Sequence, residues 1–398
     1  ALTVTGAATF TQNSTTAGAT QNVNLGSQNN SLQGGVTFAA GTGAGINNLS
    51  LKNVFATPGS LTLPASVAGT LTLNYTNAAL TVPLAGVVAG GLDLTAGGGI
   101  TINGNVSTNG AQAYHSAVTL GADATLASTG SGNIGFDSTV DGAYALTVNT
   151  SGTTSFGGMV GATNMLTSLT TNAGGNTTLG GNITTSGAQA YNDAVTLGGN
   201  VTLTTAGSNV GFNSTVDNAS TTARNLVVNA GSGSVTFGGA VGSSVVNGAL
   251  GALSVNSTGT TSFNGTVQAA SLATNAGGGT TLSGNVTTSG TQNYGDAMTL
   301  GANATLSGTT VSLAAVTGTG NNLTVTGNAV LAGPVSGVNA LQVSGTTNLN
   351  TASVSTSGGQ TYSGAVTLGV DTVLASSGNG TIGFGSTVNG AHALTANT

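Results

Sequence analysis

Apolar and polar residues alternate in short runs along most of the chain, and this period of two predicts β-strands. Examples are Leu146-Thr147-Val148, Leu323-Thr324-Val325 and Leu341-Gln342-Val343. The runs end at Asn-Gly, Gly-Gly or Ser-Gly pairs, which favour turns. No stretch keeps a period of 3.6 residues, so the sequence predicts almost no helix.

One phrase recurs four times: a glutamine, any residue, a tyrosine, and soon afterwards Ala-Val/Met-Thr-Leu-Gly. Two other phrases, Gly-Phe-x-Ser-Thr-Val and Leu-x-x-Asn followed by a glycine turn, recur around it. Self-similar phrases of this kind indicate a stack of structural repeats. The tyrosines of the four copies are Tyr114, Tyr191, Tyr294 and Tyr362.

Each phrase contains one large apolar residue, and we predict that these residues point into a common core. From the first of them to Leu300 they are spaced by about 20 residues on average, which is the length of one coil of a β-solenoid. The predicted core residues are Ile102, Leu120, Phe136, Phe156, Leu179, Leu197, Phe212, Phe237, Phe263, Leu282, Leu300, Leu368 and Phe384.

The phrases run in the same direction along the chain, so equivalent strands of successive coils should be parallel. The sequence therefore predicts an all-β parallel solenoid of about 20 coils, each of about 20 residues. Glycine and the recurrent asparagines near the strand ends are expected to take up the left-handed backbone of tight corners.

Two regions of the solenoid are distinguished by their sequence. Residues 1–95 lack the Gln-x-Tyr phrase and contain Pro58, Pro64 and Pro83, so we expect diverged coils with longer loops there. Residues 96–398 are expected to form a regular array, continuous with the first region in one rod. Both ends of the chain fall at the same point of the repeat, which suggests a window of a longer array or stacks that continue end to end.

Composition narrows the range of partners. Only 3% of residues are charged, and the chain has eight acidic residues but only two basic ones. We therefore expect no cluster of basic side chains that could bind the phosphates of a nucleic acid. The chain has no cysteine, which excludes disulfides and thiolate metal sites. No run of 18 apolar residues is present, and we expect no membrane insertion of this segment. No cofactor is predicted.

Parallel solenoids can carry glycosidase or lyase sites, but the necessary residues are poorly placed here. The closest carboxylates, Asp137 and Asp141, occur as a pair in one coil, and turn aspartates explain them. Lys52 and Arg224 are too far apart in sequence to share a site. The two histidines, at 115 and 392, have no local carboxylate and serine to form a triad. We predict a non-enzyme with no catalytic, cofactor or metal residues.

The four repeated tyrosines have two possible roles. They could form an exposed aromatic stripe that binds sugars, or they could fill the core and the corners of the solenoid. The sequence leaves both open.

The chain resembles the repeat regions of large secreted bacterial adhesins of the filamentous-haemagglutinin and autotransporter type. The resemblance covers about residues 90–398 and is strongest at residues 142–158, Gly-Ala-x-Ala-Leu-Thr-Val-Asn-Thr-Ser-Gly-Thr-Thr-Ser-Phe-Gly-Gly, and at the Tyr-x-x-Ala-Val-Thr-Leu-Gly phrases. It implies a right-handed parallel β-helix in the shaft of an exported protein at the bacterial cell surface or outside the cell. The secretion-signal domain and translocator barrel of such proteins have no counterpart in these residues.

The sequence therefore predicts a non-catalytic structural shaft of a cell-surface adhesin or of an extracellular matrix fibre, such as that of a biofilm. One alternative is a subunit that polymerises end to end into a filament, and another is a carbohydrate-binding solenoid. The expected partners are the chain itself, through stacked coils or ends, and host or matrix glycans or proteins.

Overall fold

The computed structural model describes residues 1–13, 20–42, 44–82, 88–243 and 248–398. The fold is all-β, as predicted: a right-handed parallel β-helix with no helix among the described residues. Every strand pair that the structure shows is parallel, for example Ile100–Ile102 with Val118–Leu120. Pro83 lies outside the described residues.

The chain forms two compact units, and each is a stack of coils. Unit 1 comprises residues 1–186 and 191–193, and unit 2 comprises residues 187–190 and 194–398. The strands of unit 1 are β1 (Thr3–Val4), β2 (Ala8–Gln12), β3 (Thr20–Leu32), β4 (Val36–Ala40), β5 (Gly45–Asn53), β6 (Leu61–Thr62), β7 (Ser66–Tyr75), β8 (Leu80–Val82), β9 (Val88–Ala96), β10 (Ile100–Ile102), β11 (Val106–Thr108), β12 (Gln112–Tyr114), β13 (Val118–Leu120), β14 (Ala124–Ser128), β15 (Ile134–Phe136), β16 (Val140–Asp141), β17 (Ala145–Thr150), β18 (Thr153–Phe156), β19 (Ser168–Thr171), β20 (Asn176–Leu179) and β21 (Ile183–Thr185).

Strand β22 (Gln189–Tyr191) includes residues of both units. The strands of unit 2 are β23 (Ala194–Leu197), β24 (Val201–Thr205), β25 (Val210–Phe212), β26 (Val216–Asn218), β27 (Leu226–Gly231), β28 (Val235–Phe237), β29 (Leu250–Ser257), β30 (Thr260–Phe263), β31 (Val267–Thr274), β32 (Gly279–Leu282), β33 (Val286–Thr288), β34 (Gln292–Tyr294), β35 (Ala297–Leu300), β36 (Ala304–Leu313), β37 (Val316–Thr317), β38 (Leu323–Leu331), β39 (Val335–Val338), β40 (Leu341–Val343), β41 (Thr347–Leu349), β42 (Ser353–Thr356), β43 (Gln360–Tyr362), β44 (Val366–Leu368), β45 (Thr372–Ser376), β46 (Ile382–Phe384), β47 (Val388–Asn389) and β48 (Leu394–Asn397).

A regular coil has three strands, one on each side of the stack. In unit 1, β10, β11 and β12 form one coil, and each pairs with its equivalent β13, β14 or β15 in the next. In unit 2, β39, β40 and β41 pair in the same way with β42, β43 and β44. Alternate residues of each strand point inward, so three apolar ladders fill the interior.

The coils are somewhat longer than predicted. There are about 18 turns, and the residue offset between paired strands ranges from 28 residues at Thr3 and Ser31 to 18 at Leu323 and Leu341. The predicted length of about 20 residues is too short because it averages the sequence intervals between successive predicted core residues. Two of these intervals join different sides of the same coil and are therefore shorter than a full coil. One of these intervals runs from Leu120 in β13 to Phe136 in β15.

The residues predicted for the core are nearly all inside the stack. Those from Ile102 to Leu368 are at most 5% exposed. Phe384 differs because it is only half-buried. One face of its ring stacks on Tyr362 at 5.6 Å, but no later described strand pairs with β46 to cover the other face. The change of pattern near residue 95 is not a break in stacking, since β9 pairs with β7 before it and with β12 after it.

The asparagines of the Leu-x-x-Asn phrases do not take the left-handed backbone that was predicted for them. Among the described residues, the only non-glycine residues with a left-handed φ are Ser131, Thr319 and Asn379. Two of them instead connect coils: Asn172 Oδ1 accepts a hydrogen bond from Thr150 N at 2.8 Å, and Asn275 Oδ1 accepts one from Ser257 N at 2.7 Å.

Asparagines at other corners do the same, since Asn105 Oδ1 accepts a hydrogen bond from Thr125 N in the next coil at 2.9 Å. The same bond recurs from Thr153 to Asn133, from Thr305 to Asn285, from Asn322 to Asn303 and from Thr346 to Asn328.

Candidate functional site

The four Gln-x-Tyr phrases form the most regular polar feature of the interior. They occupy strands β12, β22, β34 and β43, and their tyrosines are 0–1% exposed. An exposed aromatic stripe is therefore wrong, because each ring lies in an inward ladder; Tyr114, for example, stacks on Phe136 at 5.1 Å. Burial also raises the pKa of Tyr114, so its hydroxyl stays protonated and remains a hydrogen-bond donor.

Each described Gln–Tyr corner joins two coils through the glutamine amide. Tyr294 Oη donates to Gln292 Oε1 at 3.0 Å, and Gln292 Nε2 donates to Ser307 O in the following coil at 2.8 Å. The same amide approaches Thr288 Oγ1 at 3.4 Å. Equivalent bonds occur at Gln112 with Tyr114 and at Gln360 with Tyr362. The repeated phrase thus encodes a buried clamp between coils.

We expect Tyr294→Phe to lower the free energy of unfolding by about 1–3 kcal/mol. The change keeps the ring but removes the hydroxyl that donates to Gln292 Oε1, and it leaves a buried acceptor without that bond. Urea unfolding followed by circular dichroism measures the loss. Tyr144→Phe is the matched control, since Tyr144 is 39% exposed. Equal urea midpoints for the two variants would contradict the clamp.

Two buried aspartates follow the tyrosines by two residues and were missed by the sequence analysis. Asp193 and Asp296 are 3% and 1% exposed. Asp193 Oδ1 accepts hydrogen bonds from Thr177 Oγ1 at 2.8 Å and from Thr171 Oγ1 at 2.9 Å. Asp296 Oδ1 accepts one from Gly278 N at 2.8 Å. Their shared position after Gln-x-Tyr is the signal that could have identified them.

Burial raises the pKa of both carboxyl groups above the usual value, and the hydrogen bonds they accept oppose this rise only in part. At a pH between the pKa of these carboxyl groups in the unfolded chain and their higher pKa in the folded chain, the folded chain keeps them protonated and the unfolded chain does not. The contribution of these groups to stability is therefore greatest at acid pH, and it falls as pH rises through the folded pKa.

We expect the double variant Asp193→Asn, Asp296→Asn to lose this pH dependence. Asparagine keeps an acceptor oxygen but does not titrate. Urea midpoints measured in steps from pH 4 to pH 7 should therefore fall more with rising pH in the parent chain than in the variant. The difference in urea midpoint between parent and variant removes the contribution of the other titrating groups, which both chains share. One such group is Asp371, whose pKa is lowered mainly by the hydrogen bond from Ala393 N. A constant difference across the pH range would overturn the assignment.

The histidines do have carboxylate neighbours, although no local motif indicates them. His115 Nδ1 lies 2.6 Å from Asp137 Oδ2, and its Nε2 lies 3.4 Å from Asp93 Oδ1. His392 Nδ1 lies 3.4 Å from Asp371 Oδ1. Asp93 and Asp137 lie 22 residues before and after His115, which is one coil in each direction. Coil length was thus the missing signal.

The arrangement around His115 is open to solvent. The side chains of His115, Asp93 and Asp137 are 41%, 46% and 64% exposed. Asp141, the candidate partner of Asp137, instead accepts hydrogen bonds from Thr163 N and Asn164 N. The two carboxylates therefore have separate partners, as expected of corner residues.

Within the described part of the chain, no three or more histidine, aspartate or glutamate side chains are grouped so as to hold a metal ion. The same part has no helix long and apolar enough to span a membrane. No model of a known family, no curated protein and no solved structure matches the chain.

Proposed function

We propose that the chain is a non-catalytic structural shaft of a large exported bacterial surface adhesin or extracellular matrix fibre. The observation that carries the proposal is the double connection between successive coils, by backbone ladders and by buried side-chain bonds. Gln292 binds Ser307 O from inside the stack, while Asn285 binds Thr305 N at its surface. Such connections stiffen a repeat stack without the need for charges, metals or disulfides.

The placement of the polar residues also supports a structural role. Glutamine, threonine and aspartate side chains within the stack are used to bind neighbouring coils, as at Gln112 and Asp193. The histidine with two carboxylate neighbours, His115, lies on an open surface where water is not excluded. The four tyrosines of the Gln-x-Tyr phrases are buried and therefore do not offer a sugar an aromatic surface.

Antibodies raised against the folded chain test this proposal on the cells that produce it. We expect them to label intact cells or the surrounding matrix, and to detect after denaturation a single polypeptide much larger than 37.5 kDa. Labelling only after lysis would overturn an exported shaft. A denatured species of 37.5 kDa that forms native polymers would instead favour the self-assembling filament.

A further inference from the structure

One of the three ladders in unit 1 is interrupted between two consecutive coils, and a cleft lies at the interruption. Strands β2, β4 and β6 form one sheet, whereas β8, β10, β13 and β16 form another. Pro58 and Pro64 flank the two residues of β6, and proline has no N–H to donate to a ladder. The cleft has a volume of about 380 Å³, which is within the usual size range of small-molecule sites.

Tyr75 is the buried polar residue of this cleft. It is the last residue of β7, and it is 3% exposed. In the Gln–Tyr corners a glutamine two residues earlier accepts the hydrogen bond of the tyrosine, as Gln112 Oε1 does from Tyr114 Oη at 2.9 Å. The residue two positions before Tyr75 is Leu73, which has no acceptor in its side chain.

The Tyr75 hydroxyl is consequently a donor without an acceptor in the described parts of the chain. Burial raises the pKa of Tyr75 to about 12, so the hydroxyl stays protonated and able to donate at physiological pH. A buried donor that makes no hydrogen bond destabilises the folded chain, and a ligand that supplies an acceptor removes this cost. The position of Tyr75 thus indicates a ligand with an oxygen atom that reaches into the cleft.

The other walls of the cleft combine hydroxyl groups with apolar surface. Ser60 and Thr81 are exposed, and each of their hydroxyl groups can donate and accept a hydrogen bond. Pro58, Leu61 and Leu80 contribute apolar surface. None of the lining residues is charged. A charged ligand would lose hydration here without meeting an opposite charge, so the lining favours a neutral molecule with both hydroxyl groups and an apolar face.

We propose that this cleft binds a neutral saccharide unit of a glycan. The hydroxyl groups of a sugar ring donate and accept hydrogen bonds, as those of Ser60 and Thr81 do, and its C–H groups contact the apolar walls. One of its oxygen atoms accepts the hydrogen bond of Tyr75. The site adds recognition to the structural role of the chain, and it does not involve the four repeated tyrosines.

The extent of the lining favours a sugar over an extended peptide. The lining is confined to residues 58–61, residues 79–81 and Tyr75. A compact ring can contact all three parts at once. An extended peptide would continue along more residues of the neighbouring strands than the cleft includes.

Saturation-transfer NMR on the full chain tests the proposal. The neutral probes are the methyl glycosides of glucose, galactose and N-acetylglucosamine, and those of glucosamine and glucuronic acid are their charged counterparts. We expect at least one neutral probe to bind saturably, and the charged ones not to bind. Tyr75→Phe removes only the hydroxyl group and should weaken binding about threefold to tenfold, which corresponds to one hydrogen bond. Tyr144→Phe is the matched control, because Tyr144 is exposed and lies outside the cleft.

A second pair of variants locates the binding. Thr81→Trp places a large ring at the cleft from an exposed position, and we expect it to weaken binding by about tenfold or more. Thr119→Trp should bind as the parent chain does, because Thr119 is exposed in β13 of the same ladder and does not line the cleft.

Three results would overturn the proposal: no saturable binding of any neutral probe, stronger binding of a charged sugar, or equal binding by the parent chain and either Tyr75→Phe or Thr81→Trp. The uncharged peptide acetyl-Gly-Ile-Thr-Ile-Asn-amide provides the remaining comparison. If it binds at the cleft and no sugar does, the assignment to a saccharide is wrong.

Discussion

Phe237→Ala is expected to lower the free energy of unfolding by about 3–5 kcal/mol. Phe237 is 1% exposed, and its ring stacks on Phe212 at 5.0 Å and on Phe263 at 5.1 Å. The substitution removes the central ring of three and leaves a cavity between two coils. Collapse into the cavity is limited, because backbone bonds fix the distance between the coils.

Urea unfolding followed by circular dichroism measures this effect, with Val373→Ala as the control. Val373 is 41% exposed, so its truncation should change stability little. Phe237→Leu should lie between the two, since the same ladder continues from Phe263 to Leu282 and so accepts leucine. If Phe237→Ala and Val373→Ala unfold at the same urea concentration, the inward ladder does not stabilise the stack as argued.

The fold could be predicted from the sequence because its main signal is local. In Leu146-Thr147-Val148 the structure buries the first and third residues and leaves the second partly exposed, as the alternation predicts. Parallel stacking followed from phrases that repeat in one direction. These signals depend only on strand geometry and on burial of apolar side chains.

The buried polar residues could not be assigned in the same way, because their surroundings come from other coils. Asp193 is buried by contacts with Thr171 and Thr177, which lie one coil earlier in the sequence. Tyr114 is a core residue because Phe136 of the next coil stacks on it. Such contacts require the register of each coil, and variable loop lengths hide that register in the sequence.

The same limit applies to the ladder of β2, β4 and β6, which ends at β6 and is not continued by β8 in the next coil. Proline at positions 58 and 64 indicated diverged coils, but it did not show which ladder would be interrupted. The other sides of these coils remain paired through β7 and β9, so the loss of one ladder is tolerated. A solenoid can thus expose strand edges locally while its neighbouring ladders keep the coils together.

Close stacking of the corners leads to the second large effect, which we expect from Gly239→Ala. A methyl group on Gly239 would lie 2.6 Å from Ser214 C and 2.8 Å from Thr215 N, both backbone atoms of the preceding coil. Gly265 in the next coil meets Gly239 in the same way. The glycine is needed here for space rather than for left-handed φ, since Gly239 is not among the described glycines with positive φ.

Because the backbone cannot move aside without breaking ladder bonds, Gly239→Ala should cost about 1–3 kcal/mol or more. Gly211→Ala is the matched control in the same unit: its methyl group would come no closer than 3.9 Å to Asn213 Oδ1. That variant should be neutral or stabilised by up to about 1 kcal/mol, since alanine restricts the unfolded chain. Urea midpoints of the two variants decide the matter. If both glycines tolerate alanine equally, corner stacking does not account for the high glycine content of the chain.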